Sequence, residues 1–128
     1  MPSPDSSRID IQLSEFVEHV LEVLEPYGTI RARRMFGGYG IYRDELIFGL
    51  VVDDVLYLKT DGESVALFQE RGLGPFVYVK KGEPTKTSYY MAPEEIFDDP
   101  EAAGEWLRIA CDAASRFRNR PGKRRRKR

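Results

Sequence analysis

The chain has 128 residues, and its 41% apolar and 32% charged residues are typical of a globular domain able to bury a core of its own. A single cysteine excludes an intrachain disulfide framework and a thiolate metal cluster, and it favours a reducing cytoplasm as the location. No apolar run reaches the roughly 20 residues that a membrane span requires. We therefore expect no membrane partner.

The first half of the chain predicts one helix followed by four strands. Residues 1–7 have no apolar pattern and are expected to form a disordered leader. From Leu13 to Leu24, apolar residues recur at three- and four-residue steps, which predicts an amphipathic helix. Residues 30–60 then change to β-branched and aromatic runs. The connections Arg43-Asp44-Glu45 and Asp53-Asp54 are short enough for hairpins, so these strands are expected to be antiparallel.

The second half predicts a short helix, two strands and a last helix. Residues 61–72 form the short helix, with Thr60 and Glu63 spaced as in a capping box. The strands 75–81 and 86–92 are joined through Gly82-Glu83-Pro84. The last helix starts at Asp99-Pro100, and Trp106 lies on its buried stripe. The fold class is therefore a two-layer α+β domain over residues 8–117, with an antiparallel sheet and its helices on one face, in the order α-β-β-β-β-α-β-β-α.

The glycine-rich run 37–40 raises the question of a phosphate-binding loop. A dinucleotide loop needs its glycines before a helix N-terminus, and a P-loop needs a following Gly-Lys-Ser/Thr. Here the next element is a strand, so we expect no nucleotide cofactor. At least one of Gly37, Gly38 and Gly40 is instead predicted to adopt positive φ or to allow a bulge in the sheet.

The sequence offers no convincing catalytic centre. His19 is predicted on the solvent side of the first helix, and Cys111 flanks the buried stripe of the last one. The acid pairs Asp53-Asp54, Glu94-Glu95 and Asp98-Asp99 lie at turns or helix starts, where they cap backbone N–H groups. We therefore expect no enzyme and no metal or cofactor. Carboxylates from separate elements could still meet in the fold, so a small enzyme remains an alternative.

Basic and aromatic residues occur together on the strands. On one open sheet face they could stack bases and hold phosphates. The favoured interpretation is that the tyrosines are half-buried and the cations protect sheet edges. The residues are Arg31, Arg33, Arg34, Lys59, Lys80 and Lys81, with Tyr39, Tyr57, Tyr78, Tyr89 and Tyr90.

The net charge of −1 hides an asymmetry. Nine of the 20 basic residues lie in residues 116–128, so residues 1–115 hold 11 bases against 21 acids, a charge of −10. Residues 118–128 are expected to be a disordered basic tail. Nucleic acid is its candidate partner, through phosphate contacts without base readout, and a solvated tail or attraction to the acidic body are the alternatives. The cations are Arg116, Arg118, Arg120, Lys123, Arg124, Arg125, Arg126, Lys127 and Arg128.

Several short motifs between residues 13 and 115 together resemble the TfoX (Sxy) N-terminal domain family. The motif residues are Arg34, Met35, Phe36, Gly37, Gly38, Tyr39 and Gly40, followed by Tyr57, Lys59, Tyr89 and Tyr90. The resemblance implies a bacterial α+β domain like that of secretion chaperones, without catalytic residues, in the regulation of competence for DNA uptake. We therefore expect a non-enzymatic regulatory module that acts through a protein partner and is compatible with a homodimer. The alternative binding role is a chaperone-like dimer that holds a protein segment.

Overall fold

A six-stranded antiparallel sheet dominates the computed structural model, which describes residues 13–35 and 37–120. The strands are β1 (Ile30–Met35), β2 (Gly38–Arg43), β3 (Leu46–Val52), β4 (Val55–Lys59), β5 (Pro75–Lys80) and β6 (Glu83–Met91). The helices are α1 (Glu15–Leu24), α2 (Val65–Gln69), α3 (Glu95–Asp98) and α4 (Pro100–Arg118). The strand order is β1-β2-β3-β4-β6-β5. The predicted α+β fold with an antiparallel sheet is confirmed, and the predicted leader lies outside the described residues.

The hairpin turns follow from local sequence signals. Asp53 and Asp54 join β3 to β4 with φ angles of 53° and 61°, as a tight two-residue hairpin turn requires. The turn between β5 and β6 is formed by Lys81 and Gly82, with φ angles of 52° and 80°. It lies one residue earlier than predicted, and Pro84 belongs to β6.

Helices α1 and α4 begin at side-chain caps. The Ser14 hydroxyl accepts a hydrogen bond from the Val17 N–H at 3.1 Å, and the Asp99 carboxylate accepts one from the Glu101 N–H at 3.0 Å. Trp106 of α4 is only 5% exposed, so its predicted burial is confirmed. The single turn α3 was not predicted from the sequence. In the described part of the chain, no helix is long and apolar enough to cross a membrane.

The turn that precedes α2 is capped by Asp61, one residue after the predicted Thr60. The Asp61 carboxylate accepts hydrogen bonds from the N–H groups of Glu63 and Ser64, and the Ser64 hydroxyl accepts one from the Asp61 N–H. Thr60 is not the cap, because its hydroxyl donates to the Ser88 carbonyl of β6 at 2.9 Å. Gly72 ends this segment with a φ angle of 74°.

A bulge in β3 sets which side chains reach the core. Ile41 pairs with Gly49 but Tyr42 pairs with Ile47, so Phe48 is an extra residue in the strand. Phe48 and Gly49 are both buried under the helices. Because side chains alternate along a strand, the extra residue turns Ile47 to the other face of the sheet.

Candidate binding surface on the open face of the sheet

The sheet face opposite the helices carries an apolar groove. Directly paired residues share a face, so the pairs Gly40 with Leu50 and Leu50 with Tyr57 place all three side-chain positions on this open face. The groove has a volume of about 510 Å³. It is lined by Met35, Gly37, Gly38, Tyr39, Ile47, Leu50, Val52, Phe76, Tyr78, Thr85, Thr87 and Tyr89.

Half of this lining was not among the residues singled out from the sequence, namely Ile47, Leu50, Val52, Phe76, Thr85 and Thr87. Ile47, Leu50 and Val52 all come from the run LIFGLVV, in which every residue except glycine is apolar. Such a run does not reveal which residues face the core, because the bulge at Phe48 interrupts the alternation. Phe76 and Tyr78 are two residues apart in β5 and therefore share a sheet face. This spacing was the one pattern from which the β5 side of the groove could have been predicted.

Two glycines of the motif allow close approach at the groove floor. A Cβ atom on Gly40 would lie 2.6 Å from the Met35 sulfur and 3.0 Å from Cδ1 of Ile47. A Cβ atom on Gly38 would overlap the backbone oxygen of Val51. Positive φ and a bulge were the two predicted alternatives, and neither Gly38 nor Gly40 has a φ angle in the left-handed region. The other alternative, a bulge, is found immediately after Gly40, where the pairing register shifts between Ile41 and Tyr42.

Because Gly38 and Gly40 lie inside β2, they do not form a loop before a helix N-terminus. The phosphate-loop geometry is therefore absent at these two residues. Phe36, the aromatic residue of the same motif, lies outside the described residues.

The arginines of β1 lie at one side of the groove. Arg31 pairs with Tyr42 in the sheet, and the Arg33 guanidinium lies over the Tyr42 ring, 5.4 Å from its centroid. Arg31 also donates a hydrogen bond to the Asp44 carbonyl at 3.1 Å. Arg34 lies over the Tyr39 ring at 5.8 Å. β1 therefore presents positive charge beside an uncharged groove.

Lys59 and Tyr90, two further motif residues, have a different environment. The Lys59 ammonium is 4.1 Å from the centroid of the Phe117 ring of α4 and donates to the Ser88 hydroxyl, and the residue is 6% exposed. Tyr90 packs against the core residue Phe68, with the ring centroids 6.1 Å apart. The predicted cluster of cations and tyrosines is therefore divided between the open face and the interior.

Tyr89 lies where the groove meets a second, smaller cavity. That cavity has a volume of about 290 Å³ and also includes Ile47, Lys59 and Phe117. Burial, with a smaller contribution from repulsion by Tyr42, raises the pKa of the Tyr89 phenol above its ordinary value. Tyr89 is therefore a neutral hydroxyl at physiological pH, suited to hydrogen bonding.

The candidate catalytic residues occupy structural positions. His19 is exposed and stacks on the Phe97 ring with centroids 5.4 Å apart. Burial raises the pKa of the Cys111 thiol to about 11, so it is held as the unreactive thiol. Glu95 accepts a hydrogen bond from the Trp106 indole at 2.8 Å. In residues 13–35 and 37–120, no group of three or more His, Cys, Asp or Glu side chains is arranged to hold a metal ion.

Comparison with known proteins gives the family. The sequence model of the family described as the TfoX N-terminal domain matches residues 22–114 of this chain. The chain belongs to the TfoX N-terminal domain family. This match confirms the family resemblance that was predicted from the glycine-rich motif and the other motif residues.

Two curated relatives match this TfoX N-terminal domain. The DNA transformation protein TfoX1 of Aliivibrio fischeri is 33% identical over 94 residues, which cover 73% of this chain and 44% of that protein. Protein Sxy of Escherichia coli strain K12 is 28% identical over 93 residues, with the same shares of 73% and 44%. The chain therefore spans less than half the length of these relatives.

In this TfoX N-terminal domain the basic tail begins on the last helix. The Arg116 guanidinium bonds the Asp61 carboxylate, and the Arg120 guanidinium lies 4.6 Å from the Phe117 ring centroid. Arg118 is the last residue of α4. The remaining cations of the predicted tail, Lys123 to Arg128, lie outside the described residues.

Proposed function

We propose that this TfoX N-terminal domain is a non-enzymatic regulatory module that binds an extended segment of a protein partner on the open face of its sheet. The groove of about 510 Å³ carries this proposal, because none of its 12 lining residues is an aspartate, glutamate, histidine, lysine or arginine. Its ionisable groups are the phenols of three tyrosines, Tyr39, Tyr78 and Tyr89. Such a surface suits the binding of apolar side chains better than proton transfer.

The charges beside the groove support a partner that carries acidic residues. Arg31 and Arg33 lie on the open face at the β1 edge. A segment that places alternate apolar side chains in the groove would be favoured if acidic residues lay towards β1. We therefore expect an extended, acidic and apolar segment as the ligand.

The family supports a regulatory role for this binding. One relative is named a DNA transformation protein, and we propose that the partner of this chain acts in the regulation of DNA uptake. The proposed location is the cytoplasm, since the one cysteine is a buried free thiol that contributes no disulfide.

A pull-down from native cell extract tests the binding role with a matched pair of variants. Leu50→Lys puts a charge in the groove, whereas Leu67→Lys makes the same change at an exposed site, 41% accessible, on α2. We expect wild type and Leu67→Lys to capture the same protein, with or without nuclease, and Leu50→Lys to lose it. Capture that survives Leu50→Lys, or that requires nucleic acid, would contradict the proposal.

A second role, contact with nucleic acid through the tail, is favoured by the charge distribution. Six cations follow residue 120, whereas residues 1–115 carry a charge of −10. Neutralising about six phosphates makes affinity fall roughly a thousandfold between 50 and 200 mM salt. The contact would be independent of base sequence, because it is made to the backbone.

Truncation after Arg120 tests the tail while keeping Arg116 on Asp61. We expect the truncated chain to lose affinity for both single-stranded and double-stranded DNA in low salt, measured by fluorescence anisotropy. Equal affinity of the two chains would show that residues 121–128 are not the binding element.

A further inference from the structure

Strand β5 is an edge of the sheet with exposed apolar residues on both faces. Val77, Tyr78 and Val79 are 42%, 43% and 63% exposed. The opposite edge, β1, carries three arginines in six residues, and charged side chains are a common protection of sheet edges against pairing. Within β5 the central residues are uncharged. The unprotected edge of this sheet is therefore β5.

The backbone of β5 has a definite pattern of free groups. Val79 lies opposite Pro84, which has no N–H, so this is a pair without mutual hydrogen bonds. Pairs with and without mutual hydrogen bonds alternate along an antiparallel ladder. Val77 and Lys86, two residues further along, are therefore also a pair without mutual hydrogen bonds. The Phe76 carbonyl, by contrast, points to β6 and accepts a hydrogen bond from the Thr87 hydroxyl at 2.9 Å. The N–H and C=O groups of Val77 and Val79 are consequently directed to the free edge.

We propose that β5 pairs antiparallel with β5 of a second copy of this chain, around a two-fold axis at Tyr78. In this register Val77 lies opposite the partner's Val79, and both present free backbone groups, so they exchange two hydrogen bonds. The symmetry repeats this pair on the other side of Tyr78. The sequence Val77-Tyr78-Val79 is the same in both directions, so each exposed valine meets another valine.

Charge selects the antiparallel arrangement. Lys80 lies opposite the partner's Phe76, and the two copies of Lys80 are then four residues apart along the strands, about 14 Å. This distance exceeds the roughly 8 Å Debye length at physiological ionic strength. A parallel pair would instead place Lys80 beside the partner's Lys80, which is unfavourable.

The dimer is expected to be weak. The strand pair alone buries less surface than the roughly 800 Å² per partner of a standard interface, so association should depend on concentration. Phe76 and Tyr78 also line the apolar groove, so pairing places the two grooves side by side in one continuous sheet. The dimer would therefore carry two copies of the groove on one sheet face. The pairing of β5 itself does not depend on whether the groove binds the partner proposed above.

Sedimentation equilibrium of the full chain over a concentration series tests the pairing. We expect the mass of wild type to rise from 14.7 kDa towards twice that value. Val79→Lys should remain monomeric with an unchanged Tm, and Leu67→Lys, the same kind of change at an exposed apolar residue elsewhere, should behave as wild type. Wild type that stays monomeric up to the millimolar range would overturn the proposal, as would a Val79→Lys variant that dimerises normally.

Cysteine crosslinking tests the register even if Val79→Lys fails to fold. Two residues at the axis are separated by about 4.5 Å between Cα atoms, which suits a disulfide. Tyr78→Cys should therefore form a covalent dimer under mild oxidation, with the buried Cys111 not competing. Val79→Cys faces a valine in this register and should crosslink at least tenfold less. Equal crosslinking of the two variants, or none with Tyr78→Cys, would overturn the register.

Discussion

The Arg116 guanidinium bonds both carboxylate oxygens of Asp61, a residue 55 positions earlier in the chain, with an Nε–Oδ2 distance of 2.6 Å and an Nη2–Oδ1 distance of 3.1 Å. The same carboxylate caps the segment that begins α2. A single side chain therefore ties the start of α2 to the end of α4.

Removing the charge of Asp61 should weaken this connection. Because the pair is partly exposed to solvent, we expect Asp61→Asn to lower the free energy of unfolding by about 1 kcal/mol, and Asp61→Ala, which also removes the cap, by about 2 kcal/mol. Urea denaturation measures both. Glu63→Gln is the control, since Glu63 lies 3.5 Å from Arg116 but is mostly exposed. An equal loss in the control would contradict the special role of Asp61.

The stability that Asp61 contributes should depend on pH. The hydrogen bond from Arg116 is the main cause that lowers the pKa of Asp61 from 3.8 to about 2. The unfolded chain therefore takes up this proton first as the pH falls, so the contribution is complete above about pH 4 and is lost between about pH 4 and 2. Free energies of unfolding of wild type and Asp61→Asn should differ at neutral pH and converge near pH 2. A difference that is constant with pH would contradict this account.

Alanine at the two motif glycines should have unequal effects. Gly38→Ala should cost about 2–3 kcal/mol, because the new Cβ meets a backbone oxygen that cannot move aside. Gly40→Ala should cost about 1 kcal/mol, because the nearest atoms are the ends of flexible side chains. Thermal denaturation compares them with Gly62→Ala, where no atom lies within 4 Å of the added Cβ. The reverse order would show that the backbone approach at Gly38 is not as described.

The Cys111 thiol should be protected in the native state. Burial raises its pKa to about 11, so both the thiolate fraction and the access of reagents are low at pH 8. We expect a thiol reagent to modify native protein at least a hundredfold more slowly than protein unfolded in guanidinium. Rapid modification of the folded chain would indicate that α4 opens locally.

Local signals explain which parts of the fold could be predicted. Asp53-Asp54 and Asp99-Pro100 are a turn and a cap that depend only on neighbouring residues, and both predictions are confirmed. The cap of the turn before α2 was predicted one residue too early, because Thr60 bonds Ser88 of a distant strand instead. A contact between residues so far apart in the chain leaves no pattern in the sequence near either of them.

The candidate binding surface was harder to predict than the fold. Its floor depends on the bulge at Phe48, and a shift of one residue moves a whole run of side chains to the other face. Lys59 and Tyr57 are two residues apart on β4, yet Lys59 is only 6% exposed because it packs on Phe117 near the end of α4. The motif identified the family, whereas the groove could be recognised only from the pairing register of the five strands that line it.

The affinity of a groove ligand shows whether the open face of the sheet is a binding surface. Peptides selected from a random display library on wild type should combine alternate apolar residues with acidic ones, and isothermal titration calorimetry measures their Kd. We expect Leu50→Lys to weaken binding at least tenfold and Leu67→Lys to leave it unchanged. Equal affinity of wild type and a folded Leu50→Lys variant would contradict the claim that the open face of the sheet is where this domain binds.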